Sequence, residues 1–118
     1  MIQVAIVQHS FSKGIIPTHP IACAVQDADR LDALGAIGIL RCCSVSTHFG
    51  SDYFDPDDFE ARHRELDDKS FMVDHYQTKL FKLKDSMTTA SGKKIAEERT
   101  LFMKQFLQVL QAESQASL

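Results

Sequence analysis

Val25-Gln26-Asp27-Ala28-Asp29-Arg30-Leu31-Asp32-Ala33-Leu34-Gly35-Ala36-Ile37-Gly38 is the densest stretch of chemistry in the chain, with three carboxylates and a guanidinium on two turns of helix. The apolar residues Ala22, Val25, Ala28, Leu31 and Leu34 recur at helical spacing, and Pro20 suits a first turn, where a missing N–H costs nothing. Thr18 is placed to cap that helix. Gly35 and Gly38 interrupt the pattern before a second apolar run from Ile37 to Val45, so a break or kink is expected near Gly35. Helical spacing puts Asp29 on one strip with Ala22, Val25, Ala33 and Ala36 and turns Asp27 nearly the opposite way. Asp29 is therefore expected to be mostly buried. A carboxylate removed from water needs a partner: an arginine such as Arg30 or Arg41, a backbone N–H, or a metal ion.

Outward from this stretch the pattern stays helical. Residues 2–9 read as a short helix, followed by a loop in which Ser10, Gly14, Pro17 and Pro20 gather. From Phe49 to Lys69 the chain is Asp-rich, contains Gly50 and Pro56, and sustains no period, so it reads as a long excursion with one turn of helix at 57–63. Ser70 is placed to cap a third helix with the stripe Met72, Tyr76, Leu80, Leu83 and Met87. After Thr88–Gly92 a fourth helix carries Ile95, Phe102, Met103, Phe106, Leu107 and Leu110 on one side. Its outer face holds Lys94, Glu97, Glu98 and Lys104, and a polar tail over 114–118 should fray. Four helical segments with two long irregular connections predict an all-α domain spanning 1–118, with sheet confined to a short pair in the excursion. The small residues around Gly35 suggest that the middle helix is the central one.

Composition narrows the function classes. A chain of 118 residues, 44% hydrophobic and 25% charged, is one ordinary globular domain. Its formal charge of -3 offers no basic field for bulk nucleic-acid binding. No apolar run is long enough for a bilayer span, and the first residues lack the basic region of a secretion signal, which predicts a cytoplasmic protein. Cys23, Cys42 and Cys43 are odd in number and two are adjacent, which fits reduced thiols rather than a disulfide framework or a zinc site. His63 with Asp55, Asp57, Asp58, Asp67 and Asp68 lacks calcium-loop spacing and reads as a solvated acidic loop. P-loop, dinucleotide and G-x-S-x-G motifs are absent.

Several segments in order carry a resemblance. They are His9-Ser10-Phe11-Ser12-Lys13-Gly14, the Val25–Gly38 stretch, Asp74-His75-Tyr76 with Lys79-Leu80, Lys82-Leu83, Met87–Thr89 and Ala96-Glu97-Glu98-Arg99. Together they resemble the C-terminal half of the bacterial HD-domain metal-dependent phosphohydrolases. The resemblance implies a helical HD-type domain, incomplete here, and hydrolysis of a phosphate ester or nucleotide pyrophosphate. In that family one divalent ion is held by a histidine, a His-Asp pair and a later aspartate in an Ala-Asp-Arg-Leu context. Asp29 matches the last of these; the earlier ligands would lie on helices before residue 1, and no His-Asp dipeptide occurs in the chain.

The resemblance also places His9 beside the site and makes His75 and Lys79 substrate contacts. Taken by themselves, His9 is a histidine closing a short helix, and His75, Lys79 and Lys82 form a basic strip on a Lys-rich helix that also carries Lys84. Tyr76 and Phe81 read as core residues. Manganese, magnesium, iron, nickel and cobalt all suit a His and carboxylate site. With Asp29 alone the chain is expected to bind such an ion weakly and to turn over little phosphorylated substrate or nucleotide by itself. The competing expectation is a non-catalytic helical module that self-associates or binds a protein partner through the apolar face its absent helices would cover.

Overall fold

The computed structural model describes residues 19–115. The short helix expected at 2–9, the loop after it, Thr18 and His9 lie outside the described residues, as does the tail beyond Gln115. Most of what is described is helical: α1 (Pro20–Leu31), α2 (Gly35–Phe49), α3 (Met72–Thr78), a 3-10 helix (Leu80–Ser86) and α4 (Ala90–Ser114). Among the described residues the sheet-like pairing is one isolated parallel bridge, Asp52 to Phe71. The fold is all-α.

Local chemistry accounts for the boundaries. Pro20 opens α1 behind His19, whose Nδ1 accepts from the Ile21 amide at 3.2 Å. The expected break falls at Gly35, whose φ of +74° is a left-handed conformation that side chains with a Cβ adopt at a cost. Arg99 crosses from α4 to donate from Nη1 to the Leu31 carbonyl at 2.7 Å, satisfying an acceptor at the end of α1. Thr89 caps α4 by accepting from the Gly92 amide at 2.9 Å. The third helix starts after Phe71 rather than on a Ser70 cap, and its α turns give way at Lys79 to the 3-10 helix.

Leu34, Ile39, Phe59, Met72, Val73, Tyr76, Leu80, Leu83, Ala96 and Met103 form the core. The Met72, Tyr76, Leu80 and Leu83 stripe is buried as its spacing predicts, and Tyr76 packs edge-on with Phe81, centroids 6.0 Å apart. The central element is α4 rather than the middle helix: it packs against α1, α2 and the 3-10 helix. Its buried face is Gly92, Ala96, Thr100 and Met103, whereas the expected face residues Ile95 and Phe102 are exposed and Phe106, Leu107 and Leu110 only half-buried. Small side chains let the neighbouring helices approach closely. A Cβ on Gly92 would collide with the Asp27 carboxylate.

The excursion between α2 and α3 folds without the expected helical turn at 57–63. Its ends are tied by the bridge, with Asp52 N–H donating to the Ser70 carbonyl at 2.9 Å and Met72 N–H to the Asp52 carbonyl at 2.8 Å. Inside it, Arg64 donates to Asp55 at 3.0 Å and to the buried Asp74 at 2.6 Å, and its guanidinium lies 4.4 Å from the Phe71 ring centroid. The acidic residues are backbone acceptors rather than only solvated charges. Asp58 takes the Arg62 and His63 amides, and hydrogen bonds from the His63 and Arg62 amides hold its carboxyl below the usual range.

Candidate functional site

Asp29 is not buried. It stands exposed on α1, together with Val25 and, beyond the break, Ala36, while the buried face of α1 is Ala22, Gln26, Asp27 and Arg30. The reason is hydrogen bonding that a helical wheel cannot weigh. Asp27 accepts from the Thr88 amide (2.8 Å) and hydroxyl (2.9 Å) and from the Thr89 amide (2.9 Å) and hydroxyl (2.5 Å). Arg30 Nη1 donates to the Ser86 carbonyl. The polar strip thus docks α1 on the segment entering α4 with Ala22 buried beside it, and leaves Val25, Asp29 and Ala36 facing outward. Burial acts to raise the Asp27 carboxyl, but the hydrogen bonds from Thr89 and Thr88 outweigh it and hold the group below the ordinary carboxylate range.

A metal ion fits the described residues poorly. Among them no group of three or more His, Cys, Asp or Glu side chains is placed to hold one. Asp29 offers a single exposed carboxylate, so no chemical step is assigned to a metal here.

His75 and Lys79 stand together in the structure. Both line a groove of about 700 Å³ between α2 and the stretch 68–80, a size suited to a small-molecule ligand. Its α2 wall is the stripe Gly38, Arg41, Cys42, Val45 and Phe49, and Ala33, four residues on from Asp29, also lines it. Across from that wall stand Lys69, Met72, His75, Lys79 and Leu80. The floor is therefore largely apolar and the rim basic. Lys82, the third member of the expected basic strip, is exposed and lies outside the groove lining, because the helix changes type at Lys79 and the strip does not continue.

One acid belongs to this rim. Asp68 accepts from Thr78 Oγ1 at 3.0 Å and meets His75 Nδ1 at 3.3 Å; the Thr78 hydroxyl first, then His75, holds its carboxyl below the usual range. Asp68 thereby orients the imidazole. Burial pushes the Cys42 thiol up to about 11, with Cys43 adding and Arg41 opposing, so this wall presents a neutral thiol and not a thiolate nucleophile. Lys69 and Phe49 had no role in the sequence reading; Arg41 entered it only as a possible partner for Asp29, and Asp68 only as part of a solvated acidic loop. For Arg41 a signal existed, since it lies three and four residues from Gly38 and Val45 on the same helix face; for Lys69 and Asp68 none did, because the excursion has no period.

Three comparisons bear on this arrangement. No family model matches the chain. The uncharacterized protein YpgQ of Bacillus subtilis strain 168 is 40% identical over 88 residues, 75% of this chain and 37% of YpgQ. The crystal structure of Bacillus subtilis YpgQ in complex with ADP matches with a TM-score of 0.71 and 30% identity, over 92% of this chain and 50% of that one. An HD-superfamily hydrolase from Bacillus thuringiensis matches with a TM-score of 0.67 and 38% identity, over 90% of this chain and 54% of its own. The chain thus spans about half the length of the solved relatives, and less of the curated one.

Proposed function

Because the chain belongs to the HD superfamily of hydrolases, over about half the length of the relatives it matches, we propose that it forms the substrate-holding side of a phosphohydrolase acting on a nucleotide or phosphate ester. The observation that carries this reading is the groove: Arg41, Lys69 and Lys79, with His75, stand around an apolar floor and face one carboxylate, Asp68. Such a rim complements a phosphate group, with Arg41 able to fork two oxygens and Lys79 acting as a point charge. The ADP complex of YpgQ supports a nucleotide as the ligand. Asp29 is the carboxylate this chain would contribute to a divalent ion of the Mn, Mg, Fe, Ni or Co kind, and His9 a further substrate contact. Asp29 alone would leave such an ion mostly hydrated, so the chain by itself is proposed to turn over little substrate. Three cysteines, odd in number and with two of them adjacent, support a reducing cytoplasm as its location.

Calorimetric titration with ADP tests the reading. Lys79→Ala and Arg41→Ala should each weaken ADP about tenfold at low salt, with the difference narrowing as salt rises. Unchanged affinity in both variants would sink it.

A specific observation favours a second reading, in which the chain self-associates. Ile21 and Val25 on α1 and Ile37 and Leu40 on α2 are exposed, Leu40 at 70%. Such a face suits a covering partner.

A further inference from the structure

We infer that Phe49 is the nucleobase-stacking residue of the groove, so that its ligand is a nucleoside phosphate rather than a sugar phosphate or an inorganic one. This rests on the reading of the groove as a phosphate site. Phe49 closes α2, lines the groove and leaves 76% of its surface exposed, although a phenyl ring is ordinarily buried. Its ring packs against His48 with centroids 5.0 Å apart and planes at 82°. In either sense of that T-shaped contact at least one face of the phenyl ring stays open, which is what a stacking base requires.

Position supports the same assignment. Arg41 and Phe49 lie eight residues apart on one helix and line the same groove, hence about 12 Å apart along its axis. A nucleoside diphosphate can bridge a guanidinium and a ring so separated; pyrophosphate cannot. Val45, between them, offers apolar surface to the sugar and base edge. Ser51 Oγ donates to the Lys69 carbonyl at 2.6 Å, fastening the excursion beside the end of α2 and so closing the groove at the Phe49 end. The base would sit at that end and the phosphates toward Arg41.

The test compares ADP, ribose 5-phosphate and pyrophosphate by calorimetry on the full chain and on Phe49→Ala, Phe49→Trp and Arg41→Ala. Because Phe49 is exposed, its removal should leave the fold intact, which circular dichroism checks. Loss of stacking should weaken ADP about tenfold in Phe49→Ala while ribose 5-phosphate and pyrophosphate bind as before, and Phe49→Trp should retain ADP. If Phe49→Ala binds ADP like the parent while Arg41→Ala does not, the stacking role is wrong and the phosphate site stands. If ADP fails to bind, or neither variant changes its affinity, the phosphate site is wrong and the stacking role goes with it.

Discussion

Four hydrogen bonds converge on the Asp27 carboxylate from Thr88 and Thr89, and a carboxyl so held is a stronger acid folded than unfolded. Its contribution to stability is fully present above the unfolded pKa of about 3.9 and is lost as pH falls through the lower folded value. Asp27→Asn puts an amide donor where donors already point, and should cost about 1–3 kcal/mol in urea unfolding at pH 7. The deficit should shrink as pH falls below about 3.9, where the unfolded parent takes up a proton that the folded carboxylate resists. Asp29→Asn changes an exposed residue and should stay within about 0.5 kcal/mol of the parent. Equal destabilisation by the two substitutions would show that the faces of α1 are assigned wrongly. Sequence alone ranked these two residues in the opposite order, because apolar neighbours were weighed and distant hydrogen-bond donors were not.

At the scale of the element, the 51–71 excursion has little apolar core of its own beyond Phe54 and Phe59, whose rings lie 5.4 Å apart. Arg64 replaces what a core would do. It joins Asp55 to Asp74, and Asp74 also accepts the Asp67 amide at 2.7 Å, so one guanidinium ties the middle of the excursion to the first turn of α3. Hydrogen bonding to Asp74 is the main reason the Arg64 guanidinium is held still more firmly protonated than usual. Arg64→Ala leaves a fully buried carboxylate unpaired, an outcome far worse than losing an exposed ion pair. The urea midpoint should fall well below that of Arg62→Ala, where the arginine removed is exposed and pairs with a half-buried Glu60. Hydrogen exchange should locate the damage in the amides of 51–71 and the start of α3, with α4 still protected. Arg64→Lys should not restore protection, since an ammonium cannot reproduce the fork to both carboxylates. A midpoint like that of Arg62→Ala would remove this role.

Among the described residues, α1 and α2 carry large apolar side chains that their neighbours leave uncovered: Ile21 and Val25 on α1, Ile37 and Leu40 on α2. Light scattering of the chain at tens of micromolar should therefore show association, and Leu40→Lys with Ile37→Lys should return it to a monomer without changing helical content. A monomeric parent at that concentration would count against the second reading and leave the groove unaffected. Among the described residues no helix is long and apolar enough to cross a membrane, so these side chains do not mark a helical span.

By itself the sequence determined what depends on neighbours three or four residues away: the helical class, the stop at Gly35, the Met72, Tyr76, Leu80 and Leu83 stripe, and the family resemblance. Spacing alone suffices there, because a buried stripe and a left-handed turn are local demands on the chain. His75 and Lys79 were proposed as substrate contacts through the resemblance, while Arg41, Lys69 and Phe49 came to line a groove with them only when α2 packed beside the stretch 68–80. Which face of α1 is buried was likewise decided by Thr88 and Thr89, 61 and 62 residues from Asp27. Hydrogen bonds between groups so far apart in the chain leave no period in it, and a carboxylate takes the side where its donors are, even against the apolar pattern of its own helix.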